Sequence, residues 1–273
     1  MAARDQASAP TQSAGALEAA EGTGEPGSLE PELAAGNWEL SGGIRQLGAW
    51  IGDQAAWRPV GARPRRKPME SWQGDRAVGE ALQSGPEAAG KRLVLLHGWG
   101  ADADDLLELG RLLCGERRHL LALRAPHPHP GGFGRQWYDL QNPSWPDLPR
   151  ARLALRARLE ALGRSLPLEH TMLLGFSQGA AMALDVGSDL PLEGIVACSG
   201  YPHPGWQAKP EMAKVLLTHG KNDPVVPYAA SEELLQLLQL QQATVELLSS
   251  QGQHGIDPEL LPAIGRFIDP GQG

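Results

Sequence analysis

From Lys91 onward, short continuous apolar runs alternate with stretches in which apolar residues recur every three or four positions. Continuous runs of strand length favour strands that are buried on both faces of a parallel sheet. They lie at residues 93–96, 120–123, 172–174, 194–197, 215–217 and 245–248. The helical spacing covers residues 104–113, 150–166, 180–188, 229–240 and 259–268. The pattern predicts a mostly parallel, doubly wound α/β sheet with helices on both faces.

Residues 1–88 lack this alternation. The first 35 or so residues are rich in Ala, Gly, Glu, Ser and Pro and contain almost no large apolar side chains. Such a segment cannot bury enough surface to offset the entropy lost on ordering. Residues 36–88 contain several tryptophans, but Gly and Pro interrupt every period. We predict a largely disordered or loosely ordered extension over residues 1–88 and a folded α/β domain over residues 89–273, with docking of a partner by the extension as the alternative.

Composition limits the classes of partner and compartment. The net charge of −8 argues against nucleic acid and against an anionic membrane surface as the main partner. Cys114 and Cys198 permit one disulfide at most and lack metal-type spacing, which favours a reducing, cytoplasmic compartment. No apolar run approaches the roughly 18 residues of a transmembrane helix, so no stable membrane insertion is expected. The N-terminus does not resemble a secretory signal, and the sequence leaves the oligomeric state open.

A candidate nucleophile lies in Gly175-Phe176-Ser177-Gln178-Gly179, between the apolar run at residues 172–174 and an Ala-rich helical pattern. Gly-x-Ser-x-Gly at a strand-to-helix turn is typical of a nucleophile elbow, in which a strained serine is exposed at the edge of the sheet. We expect both glycines to be required, because Cβ atoms there would collide with the neighbouring strand and helix. The helix that begins at Gln178 would direct its N-terminal amides at the group that Ser177 attacks.

Two further candidates follow later strands. Asp223 comes after the run at residues 215–217, and His254 comes after the run at residues 245–248. Ligands of such sheets bind beyond the carboxyl ends of the strands, so we expect these loops to meet Ser177 at one edge. Ser, Asp, His is also the chain order of the triad in α/β-hydrolases. We predict that His254 accepts the proton of Ser177 during attack on a carbonyl, while Asp223 orients the imidazole.

The developing oxyanion requires preorganised N–H donors. One predicted donor is the backbone N–H of Gln178, the residue after the nucleophile, and the other is the backbone N–H of Trp99, in the glycine-rich loop after the first strand. His219 lies close to Asp223 in the chain and is an alternative base, although we expect a structural role for it. His97 directly precedes this glycine-rich loop, Gly98-Trp99-Gly100, which we call the oxyanion loop, and is expected to brace it.

These residues resemble the phospholipase/carboxylesterase family of small α/β-hydrolases, which includes acyl-protein thioesterases. The resemblance runs from about Lys91 to Ile268. It rests mainly on three motifs: Leu95-Leu96-His97-Gly98-Trp99-Gly100-Ala101, Arg135-Gln136-Trp137-Tyr138-Asp139 and Gly175-Phe176-Ser177-Gln178-Gly179-Ala180. It implies an α/β-hydrolase fold, the same triad and oxyanion amides, and hydrolysis of carboxylic esters or acyl-thioesters without a metal or organic cofactor. The motif at 135–139 also suggests that Trp137 and Tyr138 line an acyl pocket, with plain core packing as the alternative.

The sequence departs from the family pattern at two places near the site. Trp99 stands where the family commonly has leucine, which should change the acyl entrance and leave the backbone amide available. Gln253-His254-Gly255 replaces the usual Gly-His-Glu pattern around the base. We therefore expect a serine hydrolase that cleaves carboxylic esters through an acyl-enzyme, with acyl-thioesters and lysophospholipids as other substrates. A peptidase or amidase with the same triad, and a non-catalytic binding protein on this scaffold, are the alternatives.

Overall fold

The computed structural model describes residues 81–271, so residues 1–80 of the extension predicted over residues 1–88 lie outside the described part. A seven-stranded sheet forms its centre, in the order β1-β3-β2-β6-β7-β8-β9, with β4 and β5 paired separately as a short ribbon. The strands are β1 (Ala81–Ser84), β2 (Arg92–Leu96), β3 (His119–Leu123), β4 (His127–Pro128), β5 (Arg135–Gln136), β6 (Thr171–Phe176), β7 (Gly194–Cys198), β8 (Val215–Gly220) and β9 (Val245–Ser250). Strands β2, β3 and β6–β9 are parallel, as predicted.

The sheet begins earlier than the predicted domain boundary at residue 89. Strand β1 pairs antiparallel with β3, with Ala81 opposite Leu123 and Ser84 opposite Leu120. All four residues of β1 are only partly buried, and the strand contains no continuous apolar run. An edge strand of this kind lacks the pattern that identifies the central strands, so the extension predicted over residues 1–88 overlaps it.

Helices cover both faces of the sheet, which confirms the predicted arrangement. They are α1 (Asp104–Cys114), α2 (Leu148–Leu162), α3 (Gln178–Gly187), α4 (Ala229–Leu240) and α5 (Leu261–Ile268). Apolar residues of α1 and α5 pack on one face, and those of α2, α3 and α4 pack on the other. Within β2, Leu93 and Leu95 belong to the core beneath α1 and α5, whereas Val94 and Leu96 belong to the core beneath α2, α3 and α4. This division explains why the apolar runs of the central strands show no alternation of apolar and polar residues.

The helix predicted over residues 150–166 differs most from the observed one. Helix α2 begins at Leu148, with a proline in its first turn, and ends at Leu162. The backbone N–H of Gly163 donates to Leu159 and Glu160 carbonyls, and this closes the helix. Beyond Gly163 the chain continues in turns, and Leu168 packs into the core from the next short helix, so periodicity alone extended the predicted helix too far.

The strand order places the candidate site at the carboxyl edge of the sheet. The loop after β2, the turn after β6, the loop after β8 and the loop after β9 all emerge from the same edge, because these four strands are parallel. Among residues 81–271, no helix is long and apolar enough to cross a membrane.

Candidate active site

Ser177 occupies the strained turn between β6 and α3. Its backbone has φ 54° and ψ −117°, a left-handed conformation that non-glycine residues rarely adopt. The Ser177 N–H donates to the Cys198 carbonyl of the adjacent strand at 2.8 Å, which holds the turn in place. A Cβ atom on Gly175 would lie 2.3 Å from the Gly179 oxygen, and one on Gly179 would lie 2.1 Å from the Leu96 oxygen. Both glycines are thus required by the close packing of helix and strand around the serine.

Ser177, His254 and Asp223 form one hydrogen-bonded line. His254 Nε2 lies 3.1 Å from Ser177 Oγ, and His254 Nδ1 lies 2.7 Å from Asp223 Oδ2. A carboxylate only accepts hydrogen bonds, so Nδ1 carries the proton and Nε2 is free to accept the serine proton. Ser177 is 8% exposed and the His254 side chain is 18% exposed, which leaves the reactive end of the line accessible.

Asp223 is the fully buried end of this line. Its Oδ1 accepts from the backbone N–H groups of Val225 at 2.7 Å and Val226 at 2.9 Å. His219 Nε2 lies 3.2 Å from its Oδ2. Burial acts to raise the pKa of Asp223, but hydrogen bonds from His219 and His254, followed by the Val226 N–H, outweigh burial and hold the pKa well below its ordinary value. The carboxylate is therefore negatively charged at neutral pH.

The loop that carries His254 approaches β8 very closely. At Gly220, the last residue of β8, a Cβ atom would lie 2.4 Å from the Gly252 oxygen and 2.5 Å from the Gln253 oxygen. The absence of a side chain at Gly220 lets the backbone before His254 pass directly over the strand. The His254 ring also packs against Phe176, with the ring centroids 4.9 Å apart.

The backbone N–H groups of Trp99 and Gln178 make no hydrogen bond to any other group in residues 81–271. In contrast, the next amide in the loop, Gly100 N–H, donates to the Arg135 carbonyl at 2.9 Å. The two amides predicted as oxyanion donors are thus available. The Trp99 indole Nε1 donates to Gln136 Oε1 at 2.7 Å, and its ring meets that of His129 edge-on, with centroids 4.1 Å apart.

His97 lies beneath this loop and is 1% exposed. Its Nε2 accepts from the Ala125 N–H at 3.1 Å, so Nδ1 carries the proton and donates to the Gly98 carbonyl at 2.8 Å. Burial lowers the pKa of His97, which favours this neutral form. His97 therefore braces the start of the loop, which is the role expected from its position in the sequence.

Trp137 and Tyr138 are 1% and 0% exposed and belong to the core beneath α2–α4. The Tyr138 hydroxyl contacts the Tyr201 hydroxyl at 2.7 Å and donates to His203 Nε2 at 2.8 Å. His203 Nδ1 donates in turn to Asp185 at 2.5 Å. Both aromatic side chains thus have their surface occupied by protein atoms, in the manner of the core-packing alternative.

His219 is 1% exposed and has both ring nitrogens occupied. Nε2 donates to the Val226 carbonyl at 2.9 Å, and Nδ1 accepts from the Ser231 hydroxyl at 2.6 Å. The ring thus has no free lone pair with which to accept the Ser177 proton, and it supports Asp223 instead. In residues 81–271, no three His, Cys, Asp or Glu side chains cluster in a way that would hold a metal ion.

Residues 78–270 match the model of the phospholipase/carboxylesterase family, which is most of the chain. The chain belongs to this phospholipase/carboxylesterase family. Membership confirms the resemblance carried by the three motifs and the predicted α/β-hydrolase fold. The match also begins ahead of β1, in agreement with the position of that strand in the sheet.

Solved structures support the assignment. Esterase PE8 is 32% identical in sequence and aligns over 70% of this chain and 98% of its own, with a TM-score of 0.64. The Bacillus cereus carboxylesterase is 22% identical and aligns over 70% of this chain and 93% of its own, with a TM-score of 0.62. A phospholipase/carboxylesterase from Dyadobacter fermentans is 22% identical and aligns over 69% of this chain and 95% of its own, with a TM-score of 0.58. The two less similar structures support the fold alone. With the family match, these findings identify an esterase-type hydrolase that acts on a small-molecule ester.

Proposed function

We propose that this phospholipase/carboxylesterase family member is a serine esterase that works through an acyl-enzyme formed on Ser177. The observation that carries the proposal is the line of two hydrogen bonds, 3.1 Å from His254 Nε2 to Ser177 Oγ and 2.7 Å from His254 Nδ1 to Asp223 Oδ2. Both distances lie within the range needed for proton transfer and for orientation of the imidazole. The strained turn and the low pKa of Asp223 support the same assignment.

The proposed reaction has two balanced steps. Ser177 Oγ attacks the ester carbonyl while His254 Nε2 takes its proton, and the carbonyl oxygen becomes an oxyanion that accepts from the Trp99 and Gln178 N–H groups. The imidazolium then donates that proton to the departing alcohol, which leaves the acyl group on Ser177. Water then attacks the acyl carbonyl while His254 Nε2 takes one of its protons. The imidazolium returns that proton to Ser177 Oγ as the bond between Oγ and the acyl carbon breaks, and the acyl group departs as a carboxylic acid that keeps the water's other proton.

For the substrate, we propose a carboxylic ester, with acyl-thioesters and lysophospholipids as candidates within the same chemistry. All three present a carbonyl of the kind that Ser177 attacks. Trp99 supports a role for the loop in acyl selection, because its indole is bulky and is held by both Gln136 and His129. Hydrolysis of p-nitrophenyl esters of graded chain length, alongside matched acyl-thioesters, orders these candidates by kcat/KM.

We also propose a reducing, cytoplasmic location. Support comes from the two cysteines, Cys114 and Cys198, which are both buried free thiols. Burial raises the pKa of Cys114 to about 11 and that of Cys198 to about 12, which makes both poorly reactive. Fractionation of cells that express the full chain tests this location directly.

The decisive variant is Ser177→Ala. We expect it to abolish hydrolysis of p-nitrophenyl acetate and labelling by a fluorophosphonate probe, because only the Oγ that both reagents require is removed. Circular dichroism should show an unchanged fold. Ser144→Ala is the matched control, since Ser144 lies on an exposed loop and its hydroxyl donates locally, to Asn142 Oδ1 at 2.8 Å. Undiminished hydrolysis by a folded Ser177→Ala enzyme would rule out the proposal.

A further inference from the structure

The side chain of Gln178 makes two hydrogen bonds to one short segment of backbone. Its Oε1 accepts from the Trp137 N–H at 2.9 Å, and its Nε2 donates to the Tyr138 carbonyl at 2.8 Å. Gln178 is 0% exposed, so both bonds are shielded from water. The residue that presents one proposed oxyanion donor is therefore tied through its side chain to a segment about 40 residues earlier in the chain.

The same segment holds the loop that presents the other donor. The Trp137 indole Nε1 donates to the His97 carbonyl at 2.9 Å, directly before the Gly98-Trp99 turn. Trp137 is 1% exposed, and its ring centroid lies 5.6 Å from that of His97. Trp137 is thus bonded on one side to Gln178 and on the other side to the base of the Trp99 loop.

Neighbouring contacts run in parallel with this connection. Gly100 N–H donates to the Arg135 carbonyl at 2.9 Å, and Arg135 N–H donates to the Ala101 carbonyl at 2.8 Å. At Gly134, a Cβ atom would lie 2.0 Å from the Gly100 oxygen, so the two loops are in direct backbone contact. Residues 134–138 consequently lie along the whole oxyanion loop and connect it to the start of α3.

We propose that Trp137 is a positioning residue that sets the separation of the Trp99 and Gln178 N–H groups. This inference rests on the proposed function, which makes those two amides the oxyanion donors. The two amides lie on different elements, after β2 and at the start of α3, so no local backbone geometry sets their distance. Donors must be held within roughly 0.5 Å of the productive geometry. A displacement of about 1 Å can reduce the rate about 100-fold.

Core packing alone makes a different demand on this position. Packing requires only a large apolar ring, and phenylalanine would largely satisfy it. The positioning role requires the indole N–H, which is the group that bonds the His97 carbonyl. Trp137→Phe separates the two roles, because it removes that donor and keeps an aromatic ring in the core.

Trp206→Phe provides the matched control. Trp206 is 6% exposed, lies in the same hydrophobic core, and donates its indole N–H to Ser188 Oγ at 3.3 Å, away from the oxyanion loop. Both variants lose one buried indole hydrogen bond, and we expect similar decreases in Tm. Only Trp137→Phe should lower kcat for p-nitrophenyl acetate, by about ten- to a hundredfold, with KM changed by less than about twofold.

Two further readouts distinguish displaced donors from general damage. Phenylboronic acid forms a tetrahedral adduct on serine, so its affinity should fall by the same factor as kcat in Trp137→Phe. The pH midpoint of kcat/KM should stay unchanged, because Asp223 and His254 keep their contacts. Gln178→Met removes both side-chain bonds while it keeps the backbone N–H, and we expect it to lower kcat in the same way. It carries the test if Trp137→Phe does not fold.

The outcomes separate this inference from the proposed function. Hydrolysis retained by Ser177→Ala would overturn the serine esterase assignment itself. An inactive Ser177→Ala combined with equal kcat values for Trp137→Phe and Trp206→Phe would overturn the positioning role and leave the esterase intact. If Trp137→Phe fails to fold, wild-type kcat in Gln178→Met would overturn it in the same way. A lower kcat with unchanged affinity for phenylboronic acid would also overturn it, since displaced donors must weaken both.

Discussion

Replacement of Asp223 by asparagine tests the line of hydrogen bonds at its buried end. Three N–H groups donate to this carboxylate: Val225 N–H at 2.7 Å and Val226 N–H at 2.9 Å bond Oδ1, and His254 Nδ1 at 2.7 Å bonds Oδ2. His219 Nε2, which donates to the Val226 carbonyl, also lies 3.2 Å from Oδ2. Asparagine is nearly isosteric but has a single acceptor oxygen and an NH₂ group that only donates. In either orientation of the new amide, its NH₂ group therefore faces N–H groups that previously faced a carboxylate oxygen.

The orientation that keeps the Val225 and Val226 bonds places the new NH₂ group against His254 Nδ1. The imidazole then accepts at Nδ1 and carries its proton on Nε2, which is the wrong tautomer to take the Ser177 proton. In the chymotrypsin-type triad, the same change lowers kcat by about 10⁴-fold, and we expect a decrease of this size here. Loss of the charge-assisted hydrogen bond between His254 and the carboxylate should lower the free energy of unfolding by about 1.5–3 kcal/mol.

The assay is steady-state hydrolysis of p-nitrophenyl acetate, with urea unfolding measured on the same preparation. Asp189→Asn is the control, because Asp189 forms exposed ion pairs with Arg156 and Lys209 and should be close to neutral in both assays. A folded Asp223→Asn enzyme with kcat within about tenfold of wild type would show that the tautomer of His254 does not depend on Asp223, and the reasoning would fail.

Two further predictions concern the turn and the buried histidine. Gly179→Ala should lower the free energy of unfolding by about 3 kcal/mol, since the new Cβ would lie 2.1 Å from the Leu96 oxygen. Gly255→Ala is the control in urea unfolding, because a Cβ at Gly255 would have no atom within 4 Å. Equal stability of the two variants would contradict the argument. Burial lowers the pKa of His203 below its ordinary 6.5 although Asp185 acts to raise it. Below pH 6.5 the unfolded chain therefore binds a proton that the native ring does not. The free energy of unfolding should therefore decrease as the pH is lowered below 6.5. His203→Gln should make the plot of this free energy against pH flatter. Parallel plots for the variant and the wild type would refute the argument.

The regular part of the fold could be predicted because its signal is local. Strands β2, β3 and β6–β8 were visible as continuous apolar runs, and the partly buried edge strand β9 as a run interrupted by Glu246. The predicted helix at residues 229–240 coincides with α4 (Ala229–Leu240). Burial on both faces dictates such runs. Strand β1 (Ala81–Ser84) was missed because its sequence, Ala-Leu-Gln-Ser, contains no apolar run of strand length and all four residues are only partly buried.

The roles of Trp137 and Tyr138 could not be inferred from the sequence. An aromatic pair looks the same in a sequence whether it lines a pocket or fills a core, and the structure places both in the core. The two hydrogen bonds from the Gln178 side chain to their backbone leave no sequence signal either, because they join residues about 40 positions apart. Only an arrangement of loops in space brings an amide side chain to that segment.

The sequence by itself determined the α/β architecture, the strained turn at Ser177 and the chain order of Ser, Asp and His, because each depends on burial pattern or on sterics within a few residues. The tertiary structure alone decided the distances at the site. His254 reaches within 3.1 Å of Ser177 although 77 residues separate them. That approach depends on parallel strands ending at one edge and on backbone passing closely over Gly220, which are properties of packed loops that no local pattern encodes.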